Sequence, residues 1–223
     1  LRTLQACGLA DEFVVVVPAG WEEPVQQQLR DAEVRVDAVV AGGTTRQQSV
    51  QRGLQTILHR RSPVSHVLIH DAARPFLAES MVRAVVAAVH ETGASTLAIP
   101  VSDTLMRAGE AAMEAKTAAA HAEELVDRDG VWAIQTPQVF DLKLLLQAHE
   151  QAAADRQATD DGSLVLDLGV KLRFVRGAWW NIKVTHPDDF ERARLIAAMH
   201  RLPSAELTQG TTDRSTDEKE SEA

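Results

Sequence analysis

Short β-branched runs alternate with longer amphipathic stretches along the first hundred residues, and this alternation restricts the chain more than any other feature. Residues 13–17, 36–40, 66–70 and 96–101 are nearly apolar throughout, the pattern of strands buried on both faces. Between them, 22–32, 46–60 and 79–92 have helical spacing, and the last sets Val82, Val85, Val86 and Val89 along one face. The order βαβαβα predicts an α/β fold with a mostly parallel sheet flanked by helices. After Val101 the rhythm breaks. Residues 102–131 offer only short extended pieces around an alanine-rich stretch, too little apolar surface to fold alone, and are expected to form an arm that packs elsewhere. The alternation resumes with a strand at 132–135, a helix over 142–158, strands at 172–175 and 182–184, and a closing helix over 187–202. Residues 1–7 read as a helix. Because the chain opens at Leu1 and not at methionine, a first strand and its loop are expected upstream.

With 223 residues, 45% of them hydrophobic, the chain can bury one large core without disulfides. One principal domain over 1–202 is expected, followed by an acidic, disordered tail at 203–223. Cys7 is the single cysteine, so neither a disulfide framework nor a cysteine metal cluster is possible. This usage fits a reducing cytoplasm, and Cys7 reads as a small buried apolar side chain. Apolar runs stay far below the ~20 residues that a membrane helix requires, and no signal peptide pattern precedes them. Of the net charge of −9, the tail supplies six acids against Arg214 and Lys219, leaving −5 on the remainder. That balance argues against nonspecific nucleic-acid binding, which needs clustered cations.

In open α/β sheets ligands bind beyond the carboxyl ends of the strands, so the polar residues just after each strand carry the interest. Ala41-Gly42-Gly43-Thr44-Thr45-Arg46 follows one strand and opens a helix, where glycines admit close backbone approach and free N–H groups attract acceptors. A plain strand-to-helix turn, with Ser49 a helix-surface hydroxyl, accounts for the same string. His70-Asp71-Ala72-Ala73-Arg74-Pro75 places a carboxylate and a guanidinium at the next strand end, suited to Mg²⁺ and phosphate, or else to an Asp71–Arg74 ion pair. His66 and His70 share a strand face about 13 Å apart at ~3.3 Å per residue, too far for one metal ion, so His70 reads as structural. Gln135-Thr136-Pro137-Gln138 reads as a strand end, and Asp160 and Asp161 as helix N-terminal acids. Lys183 lies within a short apolar strand, and a lysine there points to a bound anion. Trp179 and Trp180 read as packing residues before a base-stacking platform. No G-x-S-x-G, Walker A or G-x-G-x-x-G string is present.

Taken in order, Gly42-Gly43 with Ser49, His70-Asp71-Ala72-Ala73-Arg74-Pro75, Pro100-Val101-x-Asp103-Thr104, Asp127-Arg128, Gln135-Thr136-Pro137-Gln138, Thr159-Asp160 and Asn181-Ile182-Lys183-Val184-Thr185 resemble the 2-C-methyl-D-erythritol 4-phosphate cytidylyltransferase family. The resemblance covers 1–202. It implies a Rossmann-like nucleotidyltransferase fold with a protruding β-arm, and transfer of CMP from CTP to methylerythritol phosphate with Mg²⁺ present and pyrophosphate leaving. By the same resemblance Gly43 and Ser49 meet the cytosine of CTP, Asp71 and Lys183 handle the metal and the α-phosphate, and Thr44 and Ala72 also belong to the CTP site. Asp71 and Lys183 are the catalytic pair, and Asp71 holds the metal. Arg74, Thr136 and Thr159 line the methylerythritol phosphate pocket. The arm crosses to a second subunit of a homodimer, so Thr104 and Arg128 of one subunit complete the site of the other. Three departures stand out. The family's glycine-rich phosphate loop precedes residue 1, Thr44 stands where relatives often have an acid, and the arm carries extra alanine-rich residues at 108–120. The first leaves an inactive fragment as one alternative. Another polyol phosphate such as ribitol 5-phosphate is a second, against which Ala73 speaks.

Overall fold

A computed structural model describes residues 1–60, 63–109, 121–152 and 158–201. The expected tail at 203–223, most of the alanine-rich arm insertion and the end of the expected 142–158 helix lie outside these residues. Helix α1 (Arg2–Ala6) leads into β1 (Val14–Val17), α2 (Glu22–Asp31), β2 (Ala38–Ala41), α3 (Arg46–Leu58), β3 (His66–Ile69), α4 (Glu79–Thr92) and β4 (Ala94–Pro100). The arm is the hairpin β5 (Leu105–Ala108) and β6 (Ala122–Val126), followed by β7 (Trp132–Asp141), α5 (Leu142–Gln151), α6 (Asp161–Asp167), β8 (Arg173–Arg176) and α7 (Pro187–Arg201).

β1 and β2 pair in parallel, and a second sheet has the order β3-β7-β4-β8. Within that sheet β4 and β8 are parallel, while β7 runs antiparallel to both β3 and β4. The reversal follows from the arm. The chain leaves β4, pairs β5 with β6 in antiparallel fashion and re-enters beside the strand it has just left, so β7 returns antiparallel to β4. Among the described residues no strand pairs with the edge of β1 away from β2, or with the edge of β3 away from β7. Helix α3 covers both neighbouring strands, with Gly53 close to Val16 and Leu54 in one cluster with Val67.

The core has two parts, one on each side of the larger sheet's central strands. In the first, Val82, Val85 and Val89 of α4 pack with Leu97, Val139 and Cys7. In the second, Phe140, Leu145, Leu164 and Val165 gather with Leu54 and Val67. Each such side chain contributes roughly 1.5–3 kcal/mol by leaving water. Helix α4 stops where Gly93 takes φ 78° and returns its N–H to the Val89 carbonyl at 2.7 Å, a conformation open to glycine at little steric cost. β4 is buried as its apolar run requires, whereas β1 and β2 are half-buried apart from Val17. Trp180 packs against the core and lies edge-on to Trp179 and His200, while Trp179 is exposed. None of the described helices is long and apolar enough to cross a membrane.

Two expected elements differ. Gln135-Thr136-Pro137-Gln138 does not end a strand: β7 runs through it to Asp141, with a bulge where Gln135, Thr136 and Pro137 stand opposite Leu97. Polar residues are tolerated in this buried stretch because each finds a partner. The Thr96 hydroxyl donates to the Gln135 carbonyl at 3.0 Å, and Asn181 Nδ2 donates to the Thr136 carbonyl at 3.0 Å. The expected strand at 182–184 is absent, and this segment is an irregular loop tied to the sheet by the Val184 N–H donating to the Ala73 carbonyl at 2.8 Å.

Candidate active site

The loop after β3 and the loop before α7 meet at one point. Lys183 Nζ donates to Asp71 Oδ2 at 2.8 Å, with the lysine side chain 41% exposed and the carboxylate 17%. Lys183 is therefore not buried among apolar neighbours, as its sequence context implied; Asn181 and Ile182 are buried and Lys183 points outward, because the segment is a loop. Asp71 is held through its backbone as well, its N–H donating to Thr136 Oγ1 at 3.1 Å. His70 Nε2 lies 3.1 Å from the Arg74 carbonyl, which can only accept, so that nitrogen carries the proton. His70 Nδ1 then accepts from the Thr136 hydroxyl at 3.1 Å. Burial lowers the His70 pKa despite the Arg74 carbonyl and Asp71, consistent with this neutral tautomer and a structural role. Burial pushes the Asp71 carboxyl up, but the hydrogen bond from Lys183 and the charges of Arg46, Lys183 and Arg74 outweigh it and hold Asp71 below its ordinary value.

Arg74 makes no ion pair with Asp71. Its Nη1 donates to the Asn181 carbonyl at 2.7 Å and its Nη2 to the Ile134 carbonyl at 3.3 Å, so the guanidinium ties the loop after β3 to β7 and to the loop before α7. Burial lowers its pKa, with the Asp71 charge opposing. Thr136 is buried, and its hydroxyl serves Asp71 and His70.

A second group lies at the start of α3. The Gly43 N–H donates to Ser49 Oγ at 3.1 Å, and that hydroxyl donates to the Thr45 carbonyl at 2.9 Å. A Cβ on Gly42 would stand 2.7 Å from Ser49 Oγ and 3.2 Å from Val16 Cγ1, so this turn requires a glycine to pass close to its own helix. Thr44 is exposed, and its N–H and hydroxyl both donate to Gln48 Oε1, at 2.9 and 2.7 Å. Ala72 is exposed in the loop after β3, and Thr159 is exposed just before α6. Thr104 and Arg128 sit apart, exposed at the base of the arm, where the Arg128 guanidinium donates to the Ser102 carbonyl.

Sequence reading missed Arg46. Its Nη1 meets Asp161 Oδ2 at 2.7 Å and its Nε faces Asp71 Oδ1 at 3.4 Å. Asp161 is 1% exposed, and its other oxygen meets His149 Nε2 at 3.0 Å. The two adjacent acids thus have different fates. Asp160 caps α6 by accepting from the Ser163 N–H at 3.2 Å, while Asp161 is a buried counter-ion. A carboxylate next to a capping acid carries no local mark of this, since its partners are 115 and 12 residues away. Among the described residues no three His, Cys, Asp or Glu side chains are grouped to hold a metal.

Mixed sheets flanked by helices, with a lysine–carboxylate pair and a glycine turn at strand ends, are those of an α/β protein of the nucleotidyltransferase fold. The family model described as 2-C-methyl-D-erythritol 4-phosphate cytidylyltransferase matches residues 1–199. A curated relative of that name from Deinococcus radiodurans is 44% identical over 187 residues, covering 83% of this chain and 71% of its own. Another from Thermotoga neapolitana is 38% identical over 197 residues, covering 88% and 81%. The crystal structure of the 2-C-methyl-D-erythritol 4-phosphate cytidylyltransferase from Thermus thermophilus superposes with a TM-score of 0.70 at 32% identity, covering 88% of each chain. The chain belongs to the 2-C-methyl-D-erythritol 4-phosphate cytidylyltransferase family.

Proposed function

We propose that this protein transfers CMP from CTP to 2-C-methyl-D-erythritol 4-phosphate and releases pyrophosphate. The observation that carries the reading is the Lys183–Asp71 pair at 2.8 Å, formed between two of the motifs that resemble the family. An oxygen of the substrate's phosphate monoester already bears charge. It attacks the α-phosphorus of CTP in line as the bond from that phosphorus to the pyrophosphate oxygen breaks, so no covalent enzyme intermediate is needed. The barrier is then repulsion between two anions and loss of alignment, which cations and fixed geometry reduce. Lys183 is exposed enough to turn from Asp71 to a phosphate oxygen. Gly43, Thr44 and Ser49 suit the cytosine end, since their backbone and hydroxyl groups are preset by Gln48 and Thr45.

Asp71 offers one hard carboxylate, and Mg²⁺ characteristically takes one or two such ligands alongside the phosphates of its substrate. Asp71 would hold Mg²⁺, which when bound offsets the charge of the phosphate groups. The assay is CTP with methylerythritol phosphate or ribitol 5-phosphate, following pyrophosphate release and product mass. Methylerythritol phosphate is expected to be the preferred acceptor by at least about tenfold in kcat/KM, roughly 1.4 kcal/mol. Equal use, or preference for ribitol 5-phosphate, assigns a broader or different acceptor, and no product with either removes the enzymatic reading.

The active unit is proposed to be a homodimer joined through the arm. Its support is the exposed β5–β6 hairpin, with Met106 58% and Leu125 63% exposed, and Arg128 at its base. Lys183→Ala and Arg128→Ala proteins, each impaired alone, are expected to recover activity when mixed with verified subunit exchange. One site of each heterodimer then contains both wild-type residues. Absence of recovery would assign Arg128 to its own subunit.

A further inference from the structure

We infer that Arg46 is a positioning residue that holds the Asp71 carboxylate in place when Lys183 leaves it for a phosphate, an inference that rests on the proposed roles of Asp71 and Lys183. The geometry is a two-pronged clamp. One prong, Nη1, is anchored at 2.7 Å to Asp161 Oδ2, and the other, Nε, faces Asp71 Oδ1 at 3.4 Å. The anchor is itself fixed on every side. Asp161 is 1% exposed, its Oδ1 meets His149 Nε2 at 3.0 Å, and its N–H donates to Gln138 Oε1 at 3.2 Å. Gln138 is fully buried and donates from Nε2 to Asp160 Oδ2 at 2.8 Å and to Thr96 Oγ1 at 3.2 Å. The plane of the guanidinium is therefore set from the core, and its remaining edge is aimed at the site.

Charge accounts for the need. Asp71 faces two cations, Lys183 and Arg46. Once Lys183 turns to an incoming phosphate, Asp71 Oδ2 loses that contact and Arg46 is the protein cation still paired with the carboxylate, beside the Mg²⁺ that Asp71 would hold. Arg46 cannot lose its proton. It therefore remains as the counter-charge and keeps the carboxylate from swinging toward solvent. A lysine has the charge but a single ammonium, so it can meet the closer Asp161 and not both carboxylates.

Arg46→Lys is expected to keep the thermal midpoint near wild type, keep KM for CTP within about twofold, and lower kcat about 10-fold or more, the usual scale for loss of a supporting contact. Arg46→Gln is expected to lower both stability and kcat. Crystal structures of wild type and Arg46→Lys with CTP bound supply a readout without turnover, with Asp71 expected to keep its rotamer in the wild type and to change it in the variant once Lys183 has left its 2.8 Å contact. A role in folding alone would lower the midpoint and leave kcat per folded molecule unchanged, and that result overturns the inference. Should Arg46→Lys not fold, Asp161→Asn, measured below its midpoint, takes its place, and an unmoved Asp71 with wild-type kcat refutes the clamp. If the wild type itself transfers no CMP, the proposed function fails, and the position of Asp71 in the variant crystals still decides whether Arg46 holds it.

Discussion

Lys183→Ala is expected to lower kcat/KM by about two orders of magnitude or more, the effect of removing one preorganised electrostatic contact from a reacting centre. The side chain is 41% exposed and its ion pair with Asp71 lies at the lip of the site, so the stability cost is expected to stay within ~1 kcal/mol. This contrast separates a residue that acts on substrate from one that supports the fold. Lys183→Gln is expected to do no better than alanine, because it restores length and a hydrogen bond without charge. Steady-state kinetics at saturating methylerythritol phosphate, with a thermal melt of the same preparation, test both parts. A near-normal rate in either variant assigns the charge at the phosphorus to another group.

Asp161→Ala is expected to have the opposite profile, a loss of about 3–5 kcal/mol in stability, because it leaves Arg46 without its nearest counter-charge and the buried His149 Nε2 without its partner. The His149 side chain is only 4% exposed and cannot recover hydration by a small movement. At roughly 2–4 °C per kcal/mol for a domain of this size, the midpoint should fall by about 6–20 °C. Asp160→Ala, one residue earlier, removes a helix cap and is expected to cost only about 1 kcal/mol. Denaturant unfolding of the two variants side by side checks the difference, and equal losses would mean that Asp161 acts merely as a second helix-terminal acid.

Residues whose signal is local were legible from the order of amino acids. The apolar spacing of Val82, Val85 and Val89 foretold the buried face of α4, since periodicity is a property of neighbours on one helix. Glycines 42 and 43 before a helix start marked a close turn, and Ser49 one turn into that helix closes it. Asp71 and Lys183 each stood out as polar residues within a local motif, but their pairing at 2.8 Å joins segments far apart in sequence.

The sequence by itself thus determined the alternation of strands and helices, the arm as a segment unable to bury itself, and the strand-end loops where polar residues gather. Only the tertiary structure decided the rest. Gln135-Thr136-Pro137-Gln138 has the composition of a strand end, yet it is the interior of β7, because Thr96 and Asn181 satisfy its polar groups from other parts of the chain. Lys183 sits between apolar residues in sequence but faces outward, because its segment is held by a backbone bond to Ala73 and not by a strand ladder. Arg74 has an acid three residues before it but grips the Asn181 and Ile134 carbonyls instead. Arg46 and Asp161, 115 residues apart, form the ion pair behind the site. Burial and pairing of a charge depend on which distant segments close around it, and that is a property of the packed chain, invisible in local order.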